Sequence, residues 1–356
     1  MIVCMPSRSF KSLESWLSTF PNSWITKENT EHLSSDLIII KKCIIVHQKY
    51  SLAGRNVFDE EYLFISPTNE ILDSSPIYRS TKVVEGTFLG QLLTDGGMIN
   101  PWKDFDAEIK SNGPLYFHAV KPNYGHMLLD FLPDLLSIHN HLIKNKGELF
   151  TGGNPDYSVY EALDVVSKWL RNNMVDPNKH LTTKKSYTIF LANNVIISPL
   201  RSRCERVSLL QNGFIPLIAN FKENESKKKV IINREQNPRL KIDKKLLDSL
   251  MDEGFTLKDC TRLSIRDAYK LFSSCEKLII PFGAETANLI FTRNCKINVI
   301  VDNQKLSDPG YINAISDTVL PLTEFPVFLQ RCNPMRISSE ALADSKLQVN
   351  RIENIL

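Results

Sequence analysis

The sequence predicts an α/β protein whose C-terminal half forms a parallel, doubly wound sheet. Three observations support this fold class. From residue 230 onward, short β-branched apolar segments alternate with amphipathic helical segments, as in parallel sheets with right-handed crossovers. Residues 37–100 instead contain apolar strand patterns separated by glycine and proline turns. With 356 residues, the chain is long enough for two domains that each bury a core.

The composition excludes several classes of protein. An apolar content of 42% with 23% charged residues is typical of a globular protein, and a net charge of +3 is too small to favour nucleic acid as a partner. The seven cysteines form no C-x-x-C pair and no zinc-ligand spacing. We expect reduced thiols and a cytoplasmic protein, because neither a signal peptide nor an apolar membrane span is evident. Any membrane contact is then expected at the inner surface.

The first segment with chemically useful side chains is a helix predicted over residues 123–136. His126, Asp130 and Asp134 are spaced four apart, which places them on one side of a helix. Nearly all the other positions are apolar, and such a polar stripe typically faces a cleft. The alternative is an interior histidine–aspartate hydrogen bond. Pro133 is expected to kink or end the first part of this helix.

The segments that follow indicate a domain boundary. Strands at 186–191 and 195–197 flank an Asn193–Asn194 turn, which is a hairpin signal. Three arginines follow: Arg201, Arg203 and Arg206. They could contact substrate or form a solvated helix face. Residues 220–229 are polar and end in a lysine triplet, a pattern of an interdomain linker or of contact with anionic lipid.

The second domain begins with a buried strand at 230–232, whose carboxyl end leads to Arg234. Arg239 follows after a turn predicted at 237–238. Two guanidinium groups at a strand end can clamp a diphosphate, since each fork binds two phosphate oxygens. Arginines in such places are also commonly solvated.

The strand at 278–280 is followed by Gly283 and a helix that begins at Ala284. The first N–H groups of such a helix are unpaired and favour an anion. Many junctions of this kind hold no ligand. The other elements predicted in this domain are helices at 243–251 and 264–275 and strands at 254–257, 297–301 and 319–320.

One formal metal-binding triplet is present at Asp104 and Asp106. Two carboxylates in a D-x-D triplet can hold a divalent ion on a bound diphosphate. No strand precedes this triplet, and one is expected by chance among 40 acidic residues. We therefore predict no metal ligand and no cofactor.

Three motifs in this order resemble the family 61 glycosyltransferases: YGHxxxDxLP at 124–133, NRxxxxR at 233–239 and FGAxxxNLIF at 282–291. The resemblance extends over about residues 80–330. It implies an α/β fold of GT-B type, with two Rossmann-like domains facing a cleft. It also implies inversion at the anomeric carbon without an obligatory metal, a nucleotide-sugar donor, and a glycan or lipid-linked glycan acceptor in capsular or lipopolysaccharide biosynthesis.

The resemblance also implies a domain organisation. Residues 1–222 form the acceptor-side Rossmann-like domain with its β-rich extension, and residues 223–334 form the domain that binds the nucleotide sugar. Residues 335–356 form a C-terminal helix expected to pack back on the N-terminal domain.

Roles for the motif residues follow from where charge develops in an inverting transfer. Asp130 is the candidate base, and His126 is either an alternative base or the group that orients it. Arg234, Arg239 and the N–H groups after Gly283 are expected to stabilise the departing diphosphate. The remaining substrate-binding candidates lie in the first turns of the following helix; they are Ala284, Glu285, Thr286 and Asn288. We expect Glu285 and Asn288 to contact the sugar or the ribose.

The sequence departs from the usual motifs of the family in ways that concern the donor's base and sugar. Phe282 stands where histidine is common, Asn233 where serine is common, and Met127 and Asp134 where tryptophan and arginine are common. Two other functions therefore stay open. One is a binding protein that has lost catalysis, and the other is an α/β enzyme of a different class, although no esterase or dinucleotide motif is present.

Overall fold

The structure is a computed structural model, and in it the chain divides into two compact units. The first unit comprises residues 1–122 and 134–201, and the second comprises residues 123–133 and 202–356. The structure describes residues 2–3, 13–18, 20, 22–28, 37–51, 58–65, 71–72, 98–99, 108–118, 124–151, 157–175, 187–197, 203–219, 227–236, 238–309, 311, 315, 319, 327–332 and 336–337.

The first unit is built on a mixed sheet, with eight strands among the described residues. In spatial order these are Ile71–Leu72, Phe58–Ile65, Leu37–Ser51, Tyr187–Ile197, Glu108–His118, Glu148–Thr151 and Met174–Val175, with Ile25–Glu28 also paired to Leu37–Ser51. The ladders on either side of Leu37–Ser51 are antiparallel, whereas those from Tyr187–Ile197 onward are parallel. Four consecutive apolar residues, 37–40, are buried, as expected for a strand covered on both faces.

The described helices of this unit are short, apart from two. Their bounds are Leu13–Leu17, Tyr157–Val166, Lys168–Asn172 and, from Asp134 onward, Leu132–Lys144, with a 3₁₀ turn at Asn22–Trp24. A short ladder joins Ile2–Val3 to Met98–Ile99. Ser167 separates two of the helices because its hydroxyl accepts the Leu170 N–H at the start of the second.

The predicted hairpin around Asn193 and Asn194 is wrong. Tyr187–Ile197 is one strand, paired antiparallel with Leu37–Ser51 on one side and parallel with Glu108–His118 on the other. The register with the parallel neighbour shifts between Ala192 and Asn194. The two asparagines therefore mark an irregularity within the sheet, because ladder partners on both sides keep the chain extended. The strands predicted in residues 77–93 lie outside the described residues.

The second unit contains the predicted parallel, doubly wound sheet. Its strands in spatial order are Phe255–Lys258, Lys228–Ile232, Cys275–Pro281, Lys296–Asp302 and Val327–Cys332, and all four ladders are parallel. Numbered along the chain, the order is 2-1-3-4-5. The direction of winding therefore reverses between Lys228–Ile232 and Cys275–Pro281, and ligands of open α/β sheets bind beyond the carboxyl ends of the strands at such a point.

The helices of the second unit include two turns of π-helix. The bounds are Tyr124–His126, Met127–Phe131 (π), Arg203–Leu209, Leu210–Phe214 (π), Ile215–Ile218, Lys244–Asp252, Ile265–Ser273, Ala284–Phe291 (3₁₀) and Asn303–Ser307 (3₁₀). A capping box begins the helix predicted at 264–275, since the Oγ of Ser264 accepts the Asp267 N–H at 3.0 Å and donates to the Asp267 carboxylate at 2.7 Å. Leu246 and Leu250 of one helix pack with Ile231 and Ile279 of the sheet in a buried core.

Other predictions at the C-terminal end are changed or lie outside the described residues. Val319 is helical and not the strand predicted there, and the last strand of the sheet is Val327–Cys332. Arg336–Ile337, within the predicted C-terminal helix, pairs as a strand with Lys241–Ile242. Residues 338–356 and the predicted boundary at 222 are outside the described residues, so the predicted domain bounds stay predictions. None of the helices in the described segments has the length and apolarity needed to cross a membrane.

Candidate functional site

The point where the sheet of the second unit reverses carries the two predicted arginines and the glycine turn. Lys228–Ile232 ends just before Arg234, and Arg239 lies on the loop that follows. Cys275–Pro281, the neighbouring strand, ends two residues before Gly283. Parallel strands bring their carboxyl ends to one edge of a sheet, so these side chains meet although they are far apart in sequence.

A buried asparagine fixes the loop that carries both arginines. The Oδ1 of Asn233 accepts hydrogen bonds from the backbone N–H groups of Arg234 and Leu240, each at 3.1 Å. Its Nδ2 donates to the Leu240 carbonyl at 2.9 Å. One side chain thus closes the loop at both ends. Sequence analysis treated Asn233 only as a departure from a motif, although asparagine at a strand end is a recognised turn signal.

Glu285 brings the two arginines together. Arg234 contacts the Oε1 of Glu285 through both Nε and Nη2. The Nη1 of Arg239 lies 3.7 Å from Oε2 of the same carboxylate and donates to the Phe282 carbonyl at 3.1 Å. The Glu285 side chain is 6% exposed, whereas those of Arg234 and Arg239 are 31% and 33% exposed. The guanidinium groups therefore face solvent in part, over a buried carboxylate.

Gly283 is required for the position of Arg239. A Cβ at residue 283 would lie 1.6 Å from Nη1 of Arg239 and 2.9 Å from Oε2 of Glu285. The backbone there is extended, with φ of 168°, so the requirement is for space and not for an unusual conformation. The helix after Gly283 is a 3₁₀ helix, in which the Thr286 N–H donates to the Gly283 carbonyl at 3.0 Å.

Two further residues join the first and third motifs. The Tyr124 hydroxyl donates to Oδ1 of Asn288, whose Nδ2 donates to the Glu285 carbonyl at 3.1 Å. Gly125 lies against Ala284, where an added Cβ would be in ordinary contact at 3.5 Å. Asn288 is buried, and so its amide connects two segments of the chain. Sequence analysis did not find this role of Tyr124, because no local pattern reveals a partner 164 residues away.

His126 and Asp130 form a hydrogen-bonded pair, which was the alternative that the sequence left open. The Nδ1 of His126 lies 2.7 Å from Oδ2 of Asp130. The other carboxylate oxygen, Oδ1, accepts from Arg206 at 2.5 Å and from Arg203 at 3.1 Å. Arg203 also donates to the Leu129 carbonyl at 2.8 Å. The sequence favours substrate contacts or a solvated face for these arginines, whereas the structure places them against Asp130.

The segment that contains these residues matches a known protein family. Residues 124–299 match the family model described as Glycosyltransferase 61. This region belongs to glycosyltransferase family 61. The predicted resemblance is confirmed, and the family implies a glycosyltransferase activity with a sugar donor and an acceptor. The comparison with curated proteins gave no match.

In this family 61 glycosyltransferase region, the environment of Asp130 keeps its carboxyl group ionised. Burial alone would raise its pKa, but the hydrogen bond from His126 and the charges of Arg203 and Arg206 outweigh burial and hold the pKa well below its ordinary value. A carboxylate held so firmly in its charged form is a weak proton acceptor. The His126 side chain is 49% exposed, against 10% for Asp130. The pair is therefore an oriented imidazole over a buried anion.

The remaining candidate residues are Asp134 and the D-x-D triplet. Asp134 is buried in the first unit, where Ser137 donates to its backbone carbonyl at 2.6 Å. Asp104 and Asp106 lie outside the described residues. Within the described ranges, no group of three or more metal-ligating side chains is placed to hold an ion, and the predicted metal independence stays a prediction.

The surroundings of Arg234 and Arg239 include an aromatic pair and a thiol. Phe282 packs edge-on against Tyr311, with ring centroids 5.4 Å apart. Burial, together with the negative charge of Glu285, raises the pKa of the Cys260 thiol to about 12. Asp259 accepts the Glu235 N–H at 2.9 Å and so connects the ends of two neighbouring strands.

Proposed function

We propose that this protein is an inverting glycosyltransferase that moves a sugar from a nucleotide-sugar donor to a hydroxyl group of a glycan acceptor. The observation that carries the proposal is the pair Arg234 and Arg239 beside the Gly283 turn, at the point of the parallel sheet where ligands bind. Both arginines lie in the segment matched by the family model.

The arginines suit a departing diphosphate. Each guanidinium can donate two parallel hydrogen bonds to phosphate oxygens, and its charge is permanent. About one third of each arginine side chain is exposed, so a ligand can reach it. Two cations on the leaving group supply the stabilisation that a divalent ion gives in other transferases. We therefore propose a transfer without a metal.

We propose His126 as the base and Asp130 as the residue that orients it, in place of Asp130 as the base. With Nδ1–H donated to Asp130, Nε2 is the basic nitrogen of the ring. The acceptor oxygen attacks the anomeric carbon while its proton passes to Nε2. The bond from the anomeric carbon to the diphosphate oxygen breaks, and the nucleoside diphosphate leaves with the bonding pair. Attack from the opposite face inverts the configuration.

The wider setting rests on the family resemblance. We propose a GT-B arrangement in which the second unit binds the donor, and an acceptor glycan of capsular or lipopolysaccharide type. The cytoplasmic location and the contact with a membrane surface stay predictions from the sequence.

A thermal-shift screen with UDP, GDP, CMP and ADP, each with EDTA or with magnesium, tests the donor site. A ligand at one hundred times its Kd stabilises the folded state by about 2.7 kcal/mol. We expect one nucleotide to raise the midpoint equally with EDTA, and Arg234→Ala to make that shift smaller. A shift that depends on magnesium contradicts the metal-free site, and the absence of any shift contradicts the donor site.

Donor hydrolysis tests catalysis without knowledge of the acceptor, because water can replace the sugar hydroxyl. Nucleoside diphosphate released from the matching nucleotide sugar is measured for the wild type and for His126→Ala. We expect the variant to keep nucleotide binding and to lose release by at least about 100-fold, the usual range for a general base. Saturable binding without turnover in the wild type indicates the alternative, a binding protein.

A further inference from the structure

Glu285 occupies an unusual place for a residue expected to touch a sugar. Its carboxylate is buried beneath Arg234 and Arg239 and is less exposed than either guanidinium. Two guanidinium nitrogens of Arg234, Nε and Nη2, contact Oε1 of Glu285, so the orientation of that guanidinium depends on the carboxylate. A ligand in the solvent-facing space above the arginines meets their outer donors before it meets Glu285.

The second oxygen of Glu285 is incompletely satisfied. Oε2 is buried and accepts no hydrogen bond from the part of the chain that the structure describes. Nη1 of Arg239 lies 3.7 Å from Oε2, which is beyond hydrogen-bond range. A buried carboxylate oxygen without a hydrogen bond opposes folding. Retaining such a group is consistent with a functional role for the carboxylate.

The charges of this cluster also argue for a role other than contact with an anion. Two guanidinium groups and one carboxylate carry a net charge of +1, so Glu285 weakens the attraction of the site for phosphate by charge alone. An arginine side chain, however, loses rotamer entropy when it is fixed. A carboxylate that accepts hydrogen bonds from Arg234 and attracts the charge of Arg239 before the ligand arrives reduces that loss on binding.

We propose that Glu285 is a positioning residue, which holds Arg234 and Arg239 as a preformed clamp for the donor diphosphate and does not contact the sugar. The proposal rests on the proposed function, since it needs a diphosphate in the site. A negative charge near an anion ordinarily lowers the affinity for that anion. We expect the reverse for Glu285: removing its charge should weaken diphosphate binding, although the site then becomes more positive.

Isothermal titration calorimetry of the full chain with inorganic pyrophosphate, which measures the Kd for pyrophosphate, tests the proposal. Glu285→Gln keeps the size of the side chain and removes its charge. Glu235→Gln is the control, because it removes the same charge from an exposed residue next to Arg234 in the chain. We expect the Kd to rise at least about tenfold in Glu285→Gln and to stay within about twofold in Glu235→Gln.

A double-mutant cycle separates positioning from general damage to the fold. In the Arg234→Gln background there is no guanidinium fork left for Glu285 to hold on that side, so Glu285→Gln is expected to cost less than about threefold. Glu285→Asp, which keeps the charge but withdraws the carboxylate by one methylene, is also expected to weaken binding. It provides a second variant if Glu285→Gln does not fold.

Three outcomes contradict the proposal. Equal or tighter binding in both Glu285 variants shows that the residue is only a counter-charge. An equal loss in the wild-type and Arg234→Gln backgrounds shows general structural damage. If the wild type binds neither pyrophosphate nor any nucleoside diphosphate, the proposed function fails and the role of Glu285 with it, and that result is distinct from a failure of the Glu285 proposal alone.

Discussion

Replacing Gly283 by alanine is expected to impair the anion site while leaving the fold nearly intact. The new Cβ would lie 1.6 Å from Nη1 of Arg239, which must move away. The backbone at 283 is extended and accepts any residue, so the alanine itself introduces no strain. Arg239 then loses its 3.1 Å hydrogen bond to the Phe282 carbonyl and its place beside Glu285.

The expected magnitude follows from the contact that is lost. A hydrogen bond that involves a charged group contributes about 1.5–3 kcal/mol, and each 1.4 kcal/mol changes an equilibrium constant about tenfold. If Arg239 no longer reaches the diphosphate, the Kd for pyrophosphate should rise about 10- to 150-fold. The effect on unfolding should be small, because the arginine is a partly exposed side chain that can turn into solvent.

Gly254→Ala is the matched control for this prediction. Gly254 has a φ of 88°, where side chains are unfavourable, and a Cβ there would meet no atom within 4 Å. We expect Gly254→Ala to cost about 1–2 kcal/mol of stability, or about 2–4 °C of melting temperature for each kcal/mol, with binding unchanged. Gly283→Ala should give the reverse pattern.

Calorimetry and titration on the two glycine variants and the wild type provide the readout. If Gly283→Ala binds pyrophosphate as tightly as the wild type, Arg239 is not part of the clamp. If it unfolds at a much lower temperature while Gly254→Ala does not, the 283 position supports the fold itself, and the argument from space is refuted.

Three further predictions concern the buried polar groups. The folded-state pKa of Asp130 lies below its ordinary value of 3.8, so the ionised carboxylate stabilises the fold above about pH 4 and this stabilisation is lost as the pH falls further. Urea titrations at pH 5 and pH 3 should therefore show a smaller change in unfolding free energy for Asp130→Asn than for the wild type. Asn233→Ala should lower the unfolding free energy by about 2 kcal/mol or more in urea titrations, because it leaves backbone groups of Arg234 and Leu240 without partners. Exposed Cys204 should be alkylated at pH 8 long before Cys260, whose pKa burial raises to about 12, and similar rates by mass spectrometry would contradict the described environment.

Much of the second unit could be predicted from local sequence, because its elements are specified by short-range rules. The strand at 278–280 was apparent from an apolar run that ends at proline and glycine, and the helix from Ile265 from the capping box at Ser264. The spacing of His126 and Asp130 predicted that both lie on one side of a helix, where the hydrogen bond between them was the alternative to a polar stripe facing a cleft.

The first unit shows where local rules fail. Asn193 and Asn194 have the composition of a turn, yet they lie within one long strand, because neighbouring strands pair with the chain on both sides. Pairing with distant segments outweighs the local preference, and no window of sequence contains that information.

The sequence by itself determined which residues could bind an anion or move a proton: the arginines after the first strand of the second unit, the glycine turn, and the histidine with its aspartate four residues on. Only the tertiary structure decided how they are paired. It put Glu285 between two arginines 51 and 46 positions before it, and it set Arg203 and Arg206 against Asp130 from more than 70 positions away. Charges so far apart in the chain are brought into contact only when the strands and helices that carry them pack together, and so the roles of these carboxylates depend on the folded protein.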